Sequence, residues 1–224
     1  MSKKQTGKLW VIEGIDGAGT TTQAKRLAGL LCDNGRPAIY TNQPSDGPIG
    51  NLIRQVLKGR LVRNTEDGHS LPLDPDTMTL LFSADRLDHV HNIILPHLEK
   101  GMDVVCDRYY YSTMAYQGVG GDMKWIKEAN SRAPEPEKVF FLDITAKAAL
   151  ERVTKRNASG REGSTEREIY EKTGFLDKVV RNYRKIFKQI DDRVLKIDGK
   201  KNADAIASQI SEYVLQAVDR KKAK

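Results

Sequence analysis

Cysteine is scarce in this chain: Cys32 and Cys106 are the only two among 224 residues. Two are too few for a disulfide scaffold, and they lack metal-ligand spacing; both read as packing residues. No apolar run approaches the roughly 20 residues that span a bilayer. The opening stretch, Met1 to Lys8, is polar, and the apolar run after it is too short to predict a signal peptide. Aromatics make up only 7% of the chain, and no Arg/Lys stripe is interleaved with them, which argues against a nucleic-acid polymer as partner. Glycine and proline are too few for a collagenous or low-complexity chain. Together these absences predict a soluble, cytoplasmic protein with reduced thiols and no membrane segment.

What is present is ordinary globular composition with a basic balance. Lys and Arg number 37 against 30 Asp and Glu, a net charge of +7. Part of that excess sits in a basic tail over 219–224 (Arg220, Lys221, Lys222, Lys224), and the remainder suits small phosphorylated substrates. The length suits one domain of about 100–250 residues.

Short apolar runs alternate with helical patterns. Lys8–Glu13, Pro37–Thr41, Met102–Cys106, Lys138–Leu142 and Arg193–Ile197 read as strands. Helical spacing covers Thr20–Asn34, Ile49–Lys58, Asp76–Lys100, Ser112–Ser131, Ala146–Arg156, Glu171–Ile190 and a last helix through Ala217. The polar stretch Gly59–Pro75 reads mostly as loop. In the Asp76–Lys100 helix, Leu80, Ala84, Leu87 and Ile94 form an apolar stripe expected to face the core, while Phe82, Arg86 and His89 share a different face. The alternation implies βαβ units: an α/β fold with a five-stranded parallel sheet flanked by helices on both faces. No linker divides residues 1–224, so a single domain is expected. The charged segment 154–173 is either an exposed connection or a lid carrying Arg156, Arg161 and Arg167.

The strongest site signal is Gly14-Ile-Asp-Gly-Ala-Gly19-Thr20-Thr21-Thr22, set between a strand and a helix. Glycines let several N–H groups converge on one anion, and the helix behind adds its positive dipole end. The spacing is that of a phosphate loop in a three-layer P-loop NTPase fold. It offers Gly14, Gly17, Ala18, Gly19, Thr20, Thr21 and Thr22 to a nucleotide. Thr21 stands where a Mg²⁺-coordinating hydroxyl belongs, and Thr20 where a phosphate-binding lysine is expected. Asp16 inside the loop faces either the acceptor or a metal-bound water, or else makes a local Asx turn.

Further along, Asp107-Arg108 follows the third strand at its carboxyl end, where open α/β sheets bind ligands. Asp107 could hold Mg²⁺ and Arg108 a phosphate; the pair also suits a surface ion pair. Phe82 and Arg86 could stack on a planar base and bond its edge, or be secondary core with a solvated charge. His89 is assigned no role.

Together these segments resemble thymidylate kinase over about Leu9 to Val218. Gly14-Ile-Asp-Gly-Ala-Gly19 looks like its phosphate loop, including the acidic residue at Asp16. Leu81-Phe-Ser-Ala-Asp-Arg86 resembles its base-binding helix. Asp107-Arg-Tyr with Ser112, and Ala115-Tyr-Gln117, resemble the segment that contacts acceptor phosphate, sugar and base. The resemblance implies a kinase using ATP and Mg²⁺ (Thr21, Asp107) to phosphorylate dTMP, as a homodimer. It implies stacking of thymine on Phe82, Arg86 at the base edge, Tyr116 beside C2′ and Gln117 nearby, with Arg152 near the donor adenine. Asp16, Arg108, Arg156 and Arg161 are the implied catalytic groups.

Two departures stand out. The family usually carries Lys at 20, and Thr-Arg-Glu-Pro where this chain has Thr41-Asn42-Gln43-Pro44. Lid arginines would then supply donor-side charge, with Arg54 or Arg108 covering the acceptor phosphate. The rivals are a kinase for another pyrimidine monophosphate or nucleoside, and a nucleotide-binding relative that has lost transfer.

Overall fold

In a computed structural model, residues 6–64, 66–67, 69–158 and 173–222 are described, side chains 156–158 and 218–222 excepted. Five strands form one parallel sheet: β1 (Leu9–Glu13), β2 (Ala38–Asn42), β5 (Asp103–Asp107), β6 (Lys138–Asp143) and β7 (Val194–Asp198). Their spatial order is β2-β5-β1-β6-β7, so β1, which feeds the glycine loop, lies at the centre. β1, β5 and most of β6 are buried along their whole length, as expected of strands covered on both faces. Helices α1 (Thr20–Asp33), α2 (Pro48–Leu57), α5 (Tyr110–Gln117), α6 (Met123–Ala129), α7 (Ala146–Ala158), α8 (Thr173–Lys188) and α9 (Ala203–Lys222) flank it, α1 packing on α9 and α5 on α8.

The long helix expected over 76–100 is continuous but not uniform. It comprises α3 (Pro75–His89), a π-helical turn at Val90–Ile94, and α4 (Leu95–Glu99). Asp74 caps α3 by accepting from the Thr77 backbone N–H at 2.8 Å, and Pro75 occupies its first position, where a missing N–H costs nothing.

Four expectations need correction. Leu80 is 57% exposed and Ala84 is exposed; the buried face of α3 instead carries Met78, Thr79, Ser83, Asp85, Arg86 and His89. Thr79, Asp85, Arg86 and His89 turn inward there because each finds a hydrogen-bond partner, so hydrophobicity alone misplaces the face. The loop over 59–75 contains a short antiparallel hairpin, β3 (Arg63–Asn64) with β4 (Ser70–Leu71). The helix over 112–131 is two, α5 and α6, broken at Gly118–Asp122 where glycines cluster. Cys32 is exposed rather than packed, whereas Cys106 is buried in β5.

Arg161 and Arg167 lie outside the described residues, and so does the Arg156 side chain. No helix among the described residues is long and apolar enough to cross a membrane.

Candidate active site

Parallel pairing of β1 with β5, with Ile12 opposite Asp107, brings the ends of both strands to one edge. The glycine loop and the Asp107–Arg108 turn therefore meet although they are distant in sequence. Gly17 and Gly19 have φ of +84° and +96°, values that favour glycine. A Cβ on Gly17 would lie 2.4 Å from the carbonyl oxygen of Ala149 on α7, so loop and helix meet backbone to backbone. No side chain, and hence no loop arginine, fits there. Gly19 caps α1 without a side-chain hydrogen bond, which leaves the leading amides of α1 for an anion.

Thr20 is buried and its side chain makes no hydrogen bond among the described residues. Thr21 Oγ1 donates to Asp107 Oδ2 at 2.5 Å. The other oxygen, Asp107 Oδ1, is buried and has no hydrogen-bond partner among the described residues. A buried carboxylate oxygen left open beside a hydroxyl fits a Mg²⁺ ion, which keeps waters and takes one or two protein oxygens plus substrate phosphates.

Asp16 does not make a local Asx turn. Its Oδ1 accepts from Arg108 Nη2 at 2.5 Å and its Oδ2 from the Tyr116 hydroxyl at 3.0 Å. Nor do Asp107 and Arg108 pair with each other. Arg108 has φ +66°, a left-handed conformation costing about 1–2 kcal/mol for a non-glycine residue. Its backbone N–H donates to Ile12 at 2.9 Å, and its guanidinium lies 5.5 Å from the Tyr116 ring centroid. Burial opposes its charge, but neighbouring Tyr116 and Asp16 hold its pKa well above the ordinary arginine value.

The Ser112 hydroxyl donates to Glu13 Oε2 at 2.7 Å, lies 2.7 Å from the Tyr183 hydroxyl and is 3.4 Å from Arg108 Nη1. Glu13, fully buried, also accepts from the Tyr109 backbone N–H at 2.8 Å, the Ser112 N–H at 3.2 Å and the Tyr183 hydroxyl at 2.9 Å. Burial raises its pKa, against the pull of Ser112 and Arg108. Glu13 thus fixes the start of α5 next to Arg108. Sequence reasoning missed it, though a lone carboxylate ending an apolar strand was a signal.

On the other side of Arg108 lies α3. Arg86 is 2% exposed, not a solvated charge. Its Nε donates to Asn130 Oδ1 at 2.8 Å, its Nη2 to Thr113 Oγ1 at 2.6 Å and its Nη1 to Gln43 Oε1, and it lies 5.3 Å from the Tyr109 ring centroid. Phe82, one turn away, is half-buried. Gln117 is buried with its Oε1 unpartnered. Arg54 on α2 donates to the carbonyls of Ser45 at 2.5 Å and Pro44 at 2.6 Å, and pairs with Asp46 at 3.1 Å. It grips the turn after β2, where the Asn42 amide also donates to the Pro44 carbonyl at 2.7 Å. Asp85 holds the same turn, accepting from Ser45 N–H at 2.8 Å and Ser45 Oγ at 2.5 Å. Arg152 on α7 stands apart, donating to the carbonyls of Lys200 and Lys201 at 3.1 and 3.2 Å.

A glycine loop at the end of the central strand, an uncapped helix behind it and the Thr21–Asp107 pair beside it define a P-loop kinase fold. A thymidylate kinase family model matches residues 12–210. The chain is 43% identical over 151 residues to a probable thymidylate kinase of Pyrococcus horikoshii, covering 67% of this chain and 71% of that one. It is 37% identical over 205 residues to a probable thymidylate kinase of Methanocaldococcus jannaschii, covering 91% and 94%. It is 35% identical over 204 residues to a thymidylate kinase of Syntrophotalea carbinolica, covering 89% and 91%. The chain belongs to the thymidylate kinase family.

Proposed function

We propose that this chain transfers the γ-phosphoryl group of ATP to dTMP, giving dTDP and ADP. Family membership over 12–210 carries the reading. Backbone amides of Gly14, Gly17, Ala18 and Gly19, with Thr20, Thr21 and Thr22, receive the ATP phosphates. Thr21 and Asp107 would hold Mg²⁺, which supplies charge neutralisation on the phosphate oxygens. Arg152 covers the adenine.

The acceptor base lies against Phe82, with Arg86 at its edge and Gln117 beside it, and Tyr116 next to the sugar. Arg108, turned by its left-handed backbone and fixed by Asp16, meets the acceptor phosphate, with Arg54 flanking it. Ser112 supports this arrangement through Glu13. Protein groups do little covalent work in such a transfer; they align the two oxygens in line and spread charge. With Thr20 in place of the lysine, the donor-side charge falls to Arg156, Arg161 or Arg167 of the 154–173 segment, which would serve as the lid of this single domain.

We place the protein in the cytoplasm as a homodimer. The outward apolar face of α3, with Leu80 57%, and Ile93 37% exposed in the π turn that follows, supports a second copy as its cover.

The test is ADP release with ATP, Mg²⁺ and each of dTMP, dUMP, UMP and dCMP. Turnover selective for dTMP supports the proposal. ATP binding without turnover would favour the binding-only alternative, which Thr20 and Asn42, standing where two cations are expected, motivate.

A further inference from the structure

His89 is buried, titratable and unused by the mechanism above. It lies at the end of α3, immediately before the π turn at Val90–Ile94, a feature common at functional positions in helices. Its ring bridges two residues of the segment that closes β2. His89 Nε2 is 2.6 Å from Thr41 Oγ1, and His89 Nδ1 is 3.0 Å from Gln43 Nε2. Gln43 in turn accepts from Arg86 Nη1 through its Oε1. A single hydrogen-bonded chain therefore runs Thr41–His89–Gln43–Arg86.

The donor and acceptor roles along this chain are fixed by chemistry alone. A guanidinium only donates, so Gln43 must turn its carbonyl oxygen to Arg86. Its NH₂ then faces His89, whose Nδ1 must carry a lone pair. The ring is therefore neutral and protonated on Nε2, which donates to Thr41. The alternative orientation of Gln43 would press its NH₂ against Arg86.

A carboxylate at 43, as in the family's usual Thr-Arg-Glu-Pro, would have no wrong way round. An amide does, and this chain has the amide. Arg86's other two partners, Asn130 and Thr113, are also neutral, so no carboxylate in hydrogen-bond contact holds the fork. Burial and the nearby Arg86 charge, against the pull of Asp85, Asp46 and Asp88, lower the His89 pKa, in keeping with the neutral ring.

We infer that His89 is a positioning residue for acceptor recognition: it locks the Gln43 amide so that Arg86 is held in the plane that reads the base. The inference rests on Arg86 being the base-reading group. It concerns affinity and selectivity for the acceptor, because the side-chain hydrogen bonds of His89 and Gln43 run to Thr41, to each other and to Arg86, while Gln43 meets Asp107 only through its backbone N–H.

Four variants test it by steady-state kinetics. His89→Leu removes both ring nitrogens; the expected result is a rise of about tenfold in KM for dTMP, the worth of one hydrogen bond, with kcat and KM for ATP within about twofold. His89→Asn offers Gln43 an acceptor near the Nδ1 position and should restore KM to within about threefold of the parent. Arg86→Gln separates the two ideas. If it leaves KM for dTMP unchanged, Arg86 does not read the base and the inference falls with that reading. If it raises KM while His89→Leu does not, the reading stands and the positioning role is refuted.

Equal losses in kcat and both KM values for His89→Leu, or no recovery in His89→Asn, would also refute it by marking His89 as structural. Should His89→Leu not fold, Thr41→Val, which releases the ring's tautomer, carries the test: KM for dTMP rises about threefold if the chain matters, and an unchanged KM overturns it.

Discussion

Replacing Asp16 by Asn removes one negative charge while keeping the shape of the loop. The consequence can be worked from the contacts of Arg108. Asp16 accepts from Nη2 at 2.5 Å, whereas the other two side-chain partners, the hydroxyls of Ser112 and Tyr116, are both 3.4 Å from Nη1. The carboxylate is thus the principal restraint on the fork. A hydrogen bond to a charged group contributes about 1.5–3 kcal/mol against about 0.5–1.5 for a neutral one. Both partners are mostly shielded from water, 17% and 23% exposed, so the difference, about 1–1.5 kcal/mol, is not much reduced by screening. In a chain of this size that loss lowers Tm by about 2–6 °C. The same energy governs how often Arg108 points at the acceptor phosphate, so kcat should fall about tenfold, with KM for ATP little changed. Thermal unfolding and steady-state kinetics on one preparation measure both numbers. A lowered Tm with unchanged kcat would show that the pair stabilises the fold and that Arg108 does not act on the reacting phosphate. No change in either would refute the reasoning altogether.

Thr20→Lys should restore a point charge at the ATP phosphates and raise kcat/KM for ATP about tenfold; a loss of activity would mean that another cation already occupies that place. The depressed His89 pKa makes its contribution to stability fully present above about 6.5, the unfolded value, and lost as pH falls below it toward the folded value. Urea titrations of the parent and His89→Asn from pH 5 to 7 should therefore converge toward acid pH, and a constant difference would contradict the neutral ring. Leu80→Lys should convert a dimer to a monomer by sedimentation while leaving thermal stability of the monomer intact, because the side chain is already 57% exposed within one chain.

The sheet was legible because buried parallel strands read as short apolar runs, and five such runs separated by helical spacing leave few topologies. The phosphate loop was legible because its contacts are local and its glycines are sterically required: a Cβ on Gly17 would come within 2.4 Å of the Ala149 carbonyl oxygen. The positions of Leu80 and Ala84 were misread because amphipathicity identifies an apolar face but not whether the chain itself covers it. Asp16 could not be assigned from its neighbours, since its partner Arg108 is 92 residues away. The same holds for Gln43 and Asn130 around Arg86, at separations of 43 and 44. Long-range hydrogen bonds between side chains carry no periodicity and no motif. His89 illustrates the limit: it shares a helix face with Phe82 and Arg86, yet its role depends on an amide presented by a different element.

Every residue role above depends on the passage of phosphoryl from ATP to dTMP on this chain. It is tested most directly by incubating the purified protein with dTMP, Mg²⁺ and ATP carrying ¹⁸O on the γ-phosphate, then resolving the nucleotides by mass. The expected result is labelled dTDP appearing in step with unlabelled ADP. Labelled inorganic phosphate with unchanged dTMP, or no release of ADP in the presence of bound ATP, would contradict it.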